Sequence, residues 1–425
     1  MAGFSRRHFL AGLGTGASAM ALQGCSQAQQ STVGRESRND VPGSDGMADV
    51  RLQNAVVEFD GEHQAGIKEA QQARVNIVAF NLKEGVDRVG VARLLKLWTE
   101  DARRLTAGIA PRGTLEPELL HIPGNLTITV GFGPGLFTVI GAEDQRPDWL
   151  APLPKFDRDQ LDPQWGEADL MLQIGSDEPI TAAYALRHMI RSGVDYVDVA
   201  WLQQGFNHAD GARAKSTTPR NLFGQFDGTV NPRSEQEFAN QVFIEDDSPA
   251  PSWIHGGSAM VIRRIRMNLD TWEKLDRASR ENAMGRKLDS GAPLTGTEEH
   301  DDPDFAARDK FGLPVIDPTS HMARARNPLD KPQQKLLRRP FSYELPPEPG
   351  DGQLSNSGLI FICFQQDPRE QFIPIQSRLD EVDRLNEWIT HIGSSVWAIP
   401  PGTDVEGKGR DEYWGQSLLE THGKG

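Results

Sequence analysis

The sequence predicts an α+β fold built from two similar halves, each an antiparallel sheet with helices on one face. Three observations predict it. Runs rich in apolar and β-branched residues alternate with segments whose apolar residues recur every three to four positions. Their order from about residue 54 is strand, helix, strand, strand, helix, strand, and a similar order returns from residue 258. A chain of 425 residues, 37% of them hydrophobic, can form one large or two medium domains with proper cores. No repeat at a fixed period is visible, so the duplication is one of architecture.

The first half is expected over residues 54–245. AVVEFDGEHQAGI reads as a strand-like start ending in a polar turn, and ARVNIVAFNL (73–82) as an alternating strand. Residues 90–105 carry Val91, Leu94, Leu95, Leu97 and Trp98 at helical spacing. NLTITVGFGPGLF holds a strand through Val130 and then a glycine-rich turn. Residues 168–174 read as a strand, 181–192 as a helix, and VDYVDVAWLQQGF as the next strand. Residues 241–254 form the seam, and the second half is expected over 255–420. Its strands are SAMVIRRIRMNL (258–269), SGLIFICFQ (357–365) and a short VWAIPPG closed by prolines. Its helices are 271–280, with Trp272 and Leu275 on one side, and 379–389. The inserts 138–166 and 284–319 are rich in Asp, Pro and Gly and read as long surface loops.

Residues 1–30 are a targeting segment, kept out of the fold. Ser5, Arg6 and Arg7 open a twin-arginine pattern, and the uncharged run AGLGTGASAMALQG follows, too weakly apolar for a membrane span. Leu22, Gln23, Gly24 and Cys25 resemble a lipoprotein box with an unusual Gln23, so simple cleavage and lipidation at Cys25 both stand open. Residues 31–53 read as a flexible linker. The expected location is periplasmic or extracellular, reached in folded form through the Tat translocase. With Cys25 and Cys363 the only cysteines, no disulfide framework holds the fold, and Cys363 is expected buried in a strand. A formal net charge of -15 argues against a nucleic-acid backbone as main partner. The absence of CxxC and HExxH leaves a zinc site unsupported, and GFGPGLF lacks the lysine of a phosphate loop.

Three segments carry chemistry. LFGQFDGT sets Asp227 between a bulky residue and a glycine; taken alone this is a turn, because Asp-Gly is a common turn dipeptide. His321 opens HMARARNP just after Asp317, Pro318, Thr319 and Ser320, where a cap or turn is expected. Arg338 and Arg339 form a pair in LLRRPFSY that, alone, reads as a solvated or salt-bridged face. Together they form a pattern. GQFDG within TPRNLFGQFDGTVNP fits the Gly-X-X-Asp-Gly motif of the dye-decolourising (DyP-type) peroxidases. HMARARNP resembles the stretch bearing that family's proximal histidine, and LLRRPFSY the stretch bearing its distal arginine. GEHQAGI, GFGPGLF, FICFQQDP and PIQSRL resemble the family in the same order, so the resemblance spans about residues 54–402. The overall pattern and the export signal most resemble the exported bacterial EfeB-like branch.

The resemblance implies two ferredoxin-like halves of the dimeric alpha-beta barrel superfamily, with haem b held in the second. It makes His321 the proximal iron ligand, Asp227 the distal acid and Arg338, the first of its pair, the distal arginine. A ligating imidazole gains from a partner at its other nitrogen, for which Asp317 and Asp367 are candidates near the motifs. Asp227 is expected to move a proton between the peroxide oxygens, and Arg338 to stabilise the charge that develops there. Arg220 could meet the haem propionates or pair with an acid, and of Arg263, Arg264 and Arg266 at least one is expected to face the haem cavity; Arg264 is taken as cofactor-binding. His63 and His255 read as structural hydrogen-bonding residues. Hydrogen peroxide and small organic reductants such as dyes or phenolics are the expected substrates. The alternative is an exported haem-binding protein serving haem handling or an iron-uptake system, and homo-oligomers are expected from the family.

Overall fold

The computed structural model describes residues 52–209, 211–212, 217–350, 352–405 and 410–420. The export segment with Cys25, and the linker up to residue 51, lie outside them. Strand β1 (Arg74–Leu82) pairs antiparallel with β4 (Val197–Phe206) on one side and β3 (Leu170–Ser176) on the other, and β3 pairs with β2 (Thr127–Phe132). In the second half β5 (Ser258–Met267) pairs with β9 (Ile389–Ile399) and β8 (Asn356–Gln365). The far edge of β8 carries β6 (Leu337–Arg338) and β7 (Phe341–Leu345), one edge interrupted at Arg339 and Pro340. Proline has no N–H to give to a ladder, which accounts for the break. Both halves therefore share the ferredoxin-like order, the first strand lying between the third and the fourth. Single bridges, Phe132 to Ala398 and Phe206 to Ser342, join the two sheets edge to edge, and the ring of strands closes into a barrel.

Closure gives most strands two buried faces, β4 excepted, whose outer face is exposed at Val199 and Leu202. Val75, Ile77 and Ala79 of β1 fill the barrel with Met171, Ile262, Ile362 and Trp397. Val78 and Phe80, alternating with them, meet Leu94, Leu95 and Trp98 of the helix Arg88–Thr106 outside. That helix starts where Asp87 accepts from Gly90 N at 2.8 Å, and its partner Pro179–Ser192 where Glu178 accepts from Thr181 N at 2.7 Å. Gly133, at the end of β2, tolerates no side chain: a Cβ there would lie 1.8 Å from Ala168 O.

Several expectations need correction. Residues 55–67 form no strand. Gln64 instead accepts from Val130 N at 2.8 Å and donates to Val130 O and Pro400 O, so a side chain satisfies the groups a neighbouring strand would take. The turn expected at GFGPGLF is the short helix Pro134–Val139. The helix expected at 271–280 is two pieces, Leu269–Trp272 and Arg277–Met284, because Asp276 turns out of the helix and caps the second piece through Ser279 N. The helix expected at 379–389 lies earlier, at Phe372–Val382, and β9 takes over from Ile389, making the short terminal strand eleven residues long. The insert 138–166 is anchored as well as exposed, since Trp149, Leu150 and Phe156 join the outer core. Its Asp159 pairs with the buried Arg263. Among the described residues no helix is long and apolar enough to cross a membrane.

The seam between the sheets holds a titrating group. Beside it, Glu167 accepts from Val396 N with both carboxylate oxygens at 3.2 Å, and desolvation pushes its carboxyl from an ordinary 4.5 up to about 8. The folded chain then keeps a proton that the unfolded chain releases, so stability falls as pH rises from 4.5 toward 8. Glu167→Gln is expected to raise the melting temperature at neutral pH and to flatten this fall. Melting curves across that range check it; an unchanged slope would refute the assignment.

Candidate active site

Alternation along the second sheet sorts its side chains. Met260 and Ile262 of β5 and Ile360, Ile362 and Phe364 of β8 point into the barrel. Ile265, Met267 and Leu359 point outward and pack with Phe223, Trp272, Met284 and Leu385. Leu337 of β6 is an inward residue, so Arg338 faces outward, in register with Cys363. Cys363 is fully buried in β8 as expected, and burial pushes its thiol up.

Over this outer face the GQFDG turn brings Asp227 to Arg338. Asp227 Oδ1 lies 3.2 Å from Arg338 Nη1, buried and otherwise without a hydrogen bond. Its Oδ2 accepts from Asn221 Nδ2 at 3.4 Å, and its backbone N–H donates to Pro219 O at 2.9 Å. A second guanidinium, Arg286, sits close enough to be pulled below its ordinary pKa, by burial first and by Arg338 second. The acid and the arginine are thus a couple, the acid screened from water and the guanidinium partly exposed.

His321 opens the helix His321–Ala325, which packs on the helix Phe372–Val382. Its Nδ1 donates to Asp383 Oδ2 at 2.6 Å, and Asp383, 4% exposed, also accepts from Leu385 N at 3.0 Å through Oδ1. That fixes the ring and makes it more electron-rich, leaving Nε2 free to bind elsewhere. The two acids considered from the sequence have other roles: Asp317 takes Thr319 and Arg384, and Asp367 takes Arg369. Sequence reading missed Asp383 because it was assigned to a helix interior; Asp followed by Arg384 and Leu385 is in fact a cap. Arg378, in the PIQSRL stretch, was missed too. Its Nη1 donates to Gln334 Oε1 at 2.7 Å, while Nη2 is buried without a hydrogen-bond partner.

Two expected cofactor contacts are not brought to these groups. Arg264 points into the barrel, donates to Gln203 Oε1 at 2.7 Å and lies against the rings of Trp165 and Tyr343, because neighbouring residues on a strand take opposite faces. Arg220 commits its guanidinium to the carbonyls of Gly224, Leu288 and Asp289 and stacks on Phe226, clipping the turn to the chain at 288–289. His63 and His255 are the structural residues expected: His63 Nδ1 pairs with Gly256 O at 2.7 Å, and His255 Nε2 with Ala250 O at 2.9 Å.

A carboxylate-held imidazole in the second half, and an acid–arginine couple whose acid comes from the chain between the halves, are groups a cofactor-binding enzyme would use. Comparison with known proteins specifies which. Residues 64–207 match the family described as Dyp-type peroxidase, N-terminal, and residues 218–404 its C-terminal counterpart. The dye-decolorizing peroxidase of Thermobifida fusca is 37% identical over 98% of both chains, and the deferrochelatase of Yersinia pestis 35% identical over 98% of this chain and 95% of its own. Among solved structures, the DyP-type peroxidase from Cellulomonas bogoriensis superposes with a TM-score of 0.82 at 44% identity, covering 87% of this chain and 99% of that one. The chain belongs to the Dyp-type peroxidase family, and its activity is that of a haem peroxidase.

The Arg220 clip gives a stability test. Arg220→Ala removes three hydrogen bonds from a charged donor and is expected to cost about 2 kcal/mol. Urea unfolding checks this; a variant as stable as the parent would show that the clip holds nothing.

Proposed function

We propose that the chain binds haem b with His321 as the ligand to its iron, and that Asp227 and Arg338 act together on hydrogen peroxide. The observation that carries this reading is the His321–Asp383 pair: an imidazole held at Nδ1 by a buried carboxylate has Nε2 free and is the donor that haem iron takes. The other groups fit. Among the described residues no three His, Cys, Asp or Glu converge on one point, so an iron here needs a frame supplying its remaining ligands. Arg378 Nη2, buried and without a hydrogen-bond partner, suits a carboxylate such as a haem propionate.

Haem, when bound, supplies the two electrons that the peroxide O–O bond takes up as it breaks, and regains them singly from an organic donor. The protein supplies the proton path. Asp227 Oδ1 accepts the proton of one peroxide oxygen and returns it to the other, which leaves as water. Arg338 stays cationic and steadies the negative charge developing between them. Dyes and phenolics are the proposed donors, dyes being what the name of the Thermobifida relative carries. The twin-arginine pattern supports export of the folded, loaded chain, with Cys25 the candidate anchor. The deferrochelatase name of the Yersinia relative supports a second reading, haem handling for iron acquisition. The Asp227–Arg338 couple favours peroxide chemistry, since carrying haem needs neither.

Stopped-flow absorption spectroscopy of the purified protein with hydrogen peroxide tests the roles. Asp227→Asn is expected to slow the peroxide reaction by about 10²–10⁴-fold while haem still binds. His321→Ala is expected to lose the normal ligation spectrum. Asp383→Asn should retain haem and lower activity roughly 10- to 100-fold, through a less basic imidazole. An Asp227→Asn protein that reacts like the parent would end the proton-path reading.

A further inference from the structure

Asn231 lies four residues beyond Asp227, and its carboxamide spans to the backbone of Arg338. Nδ2 donates to Arg338 O at 2.7 Å, and Oδ1 accepts from Arg338 N at 3.0 Å. An amide side chain offers a donor and an acceptor side by side, the same pair that a neighbouring strand's peptide groups would present. β6 is only two residues long and pairs with β8 along one edge, so Asn231 closes its other edge. The same residue closes the acid's own turn, because Asn231 N donates to Gly228 O at 2.9 Å. Gly228 has φ +121°, a backbone that favours glycine, and a Cβ there would come 3.2 Å from Asn231 Nδ2.

We propose that Asn231 is the positioning residue that sets the Asp227–Arg338 geometry, tying the backbone of the arginine to the loop that carries the acid. This rests on the reading of those two residues as the pair that acts on peroxide. Two flexible side chains meeting at 3.2 Å are held only as well as their backbones, and here the backbones are 111 residues apart in sequence. The other links do not cover this. Asn221 meets Asp227 through its carboxylate and otherwise bonds within its own turn, and the ladder to Cys363 fixes Arg338 to the sheet but not to the loop. Neither Asn231 nor Gly228 touches the reacting atoms in this scheme; their part is alignment.

Asn231→Asp tests it, because it keeps the shape and exchanges the donor for an oxygen. Ionised, the new side chain opposes the Arg338 carbonyl; protonated at acid pH, its hydroxyl restores the donor. The rate constant for hydrogen peroxide is expected to match the parent at acid pH and to fall roughly 10²-fold below it at neutral pH, the scale of an ångström's misplacement. Over the same range the Arg338 amide, read by hydrogen exchange in the full chain with and without haem, is expected to exchange faster than in the parent. Asn231→Ala should lose rate at every pH, and should add no loss on top of Asp227→Asn. An Asn231→Asp profile parallel to the parent's, or full additivity with Asp227→Asn, overturns the proposal. If Asp227→Asn itself leaves the rate unchanged, the reading of the acid fails and this proposal with it, whatever the amide exchange shows.

Discussion

Strand alternation inside a closed barrel is the constraint on which the rest of this protein depends. A side-chain period of two means that each pair of neighbouring residues is split between the barrel's interior and its outer layer. Arg263 and Arg264 are separated in this way, and so are Arg338 and Arg339. Arg338 faces the outer layer, where the acid loop reaches it. Arg339, fully buried, donates to Glu69 O, and burial draws its guanidinium down to about 10. A slip of one residue in the pairing of β6 with Cys363 would turn Arg338 inward and set Leu337 or Arg339 opposite Asp227 instead.

The same closure explains why so many charges are buried and still paired. The outer face of the second sheet is covered by long connecting segments, so Arg263 is shut in with Asp159 from an insert of the first half. Desolvation works against both members, raising the carboxyl and lowering the guanidinium. Removal of one partner from such a pair strands the other without water, at a cost larger than the pair's own contribution. The insert is therefore tied down at Asp159 and by Phe156, which lies against the same guanidinium.

Sequence reading reached the elements with strong periodicity, and it singled out candidate site residues by their distinctive neighbours. The helix around Leu94 and Trp98 and the strands around Ile77 and Ile362 announce themselves by spacing. Asp227, His321 and Arg338 were found through ordered segments, not through any property of a lone residue. Asp383 escaped because its signal is a cap, which from sequence looks like one more polar position in a helix. Arg264 was taken as cofactor-binding because alternation along a strand does not say which of its two faces a cofactor would use; it lies on the inward face with Met260 and Ile262. The coil at 55–67 resembled a strand because its hydrophobic residues do pack; what it lacks is a ladder, and Gln64 stands in for one.

Asp227 does not belong to either ferredoxin-like unit. It lies on the chain that leaves β4 and has yet to enter β5, the passage between the two units. The two units alone give the barrel, and the second of them the arginine and the histidine, but neither gives the acid. That part of the site is an addition made by the connection itself. A fragment cut to begin at β5 could hold the imidazole and its carboxylate, and it would have nothing opposite Arg338.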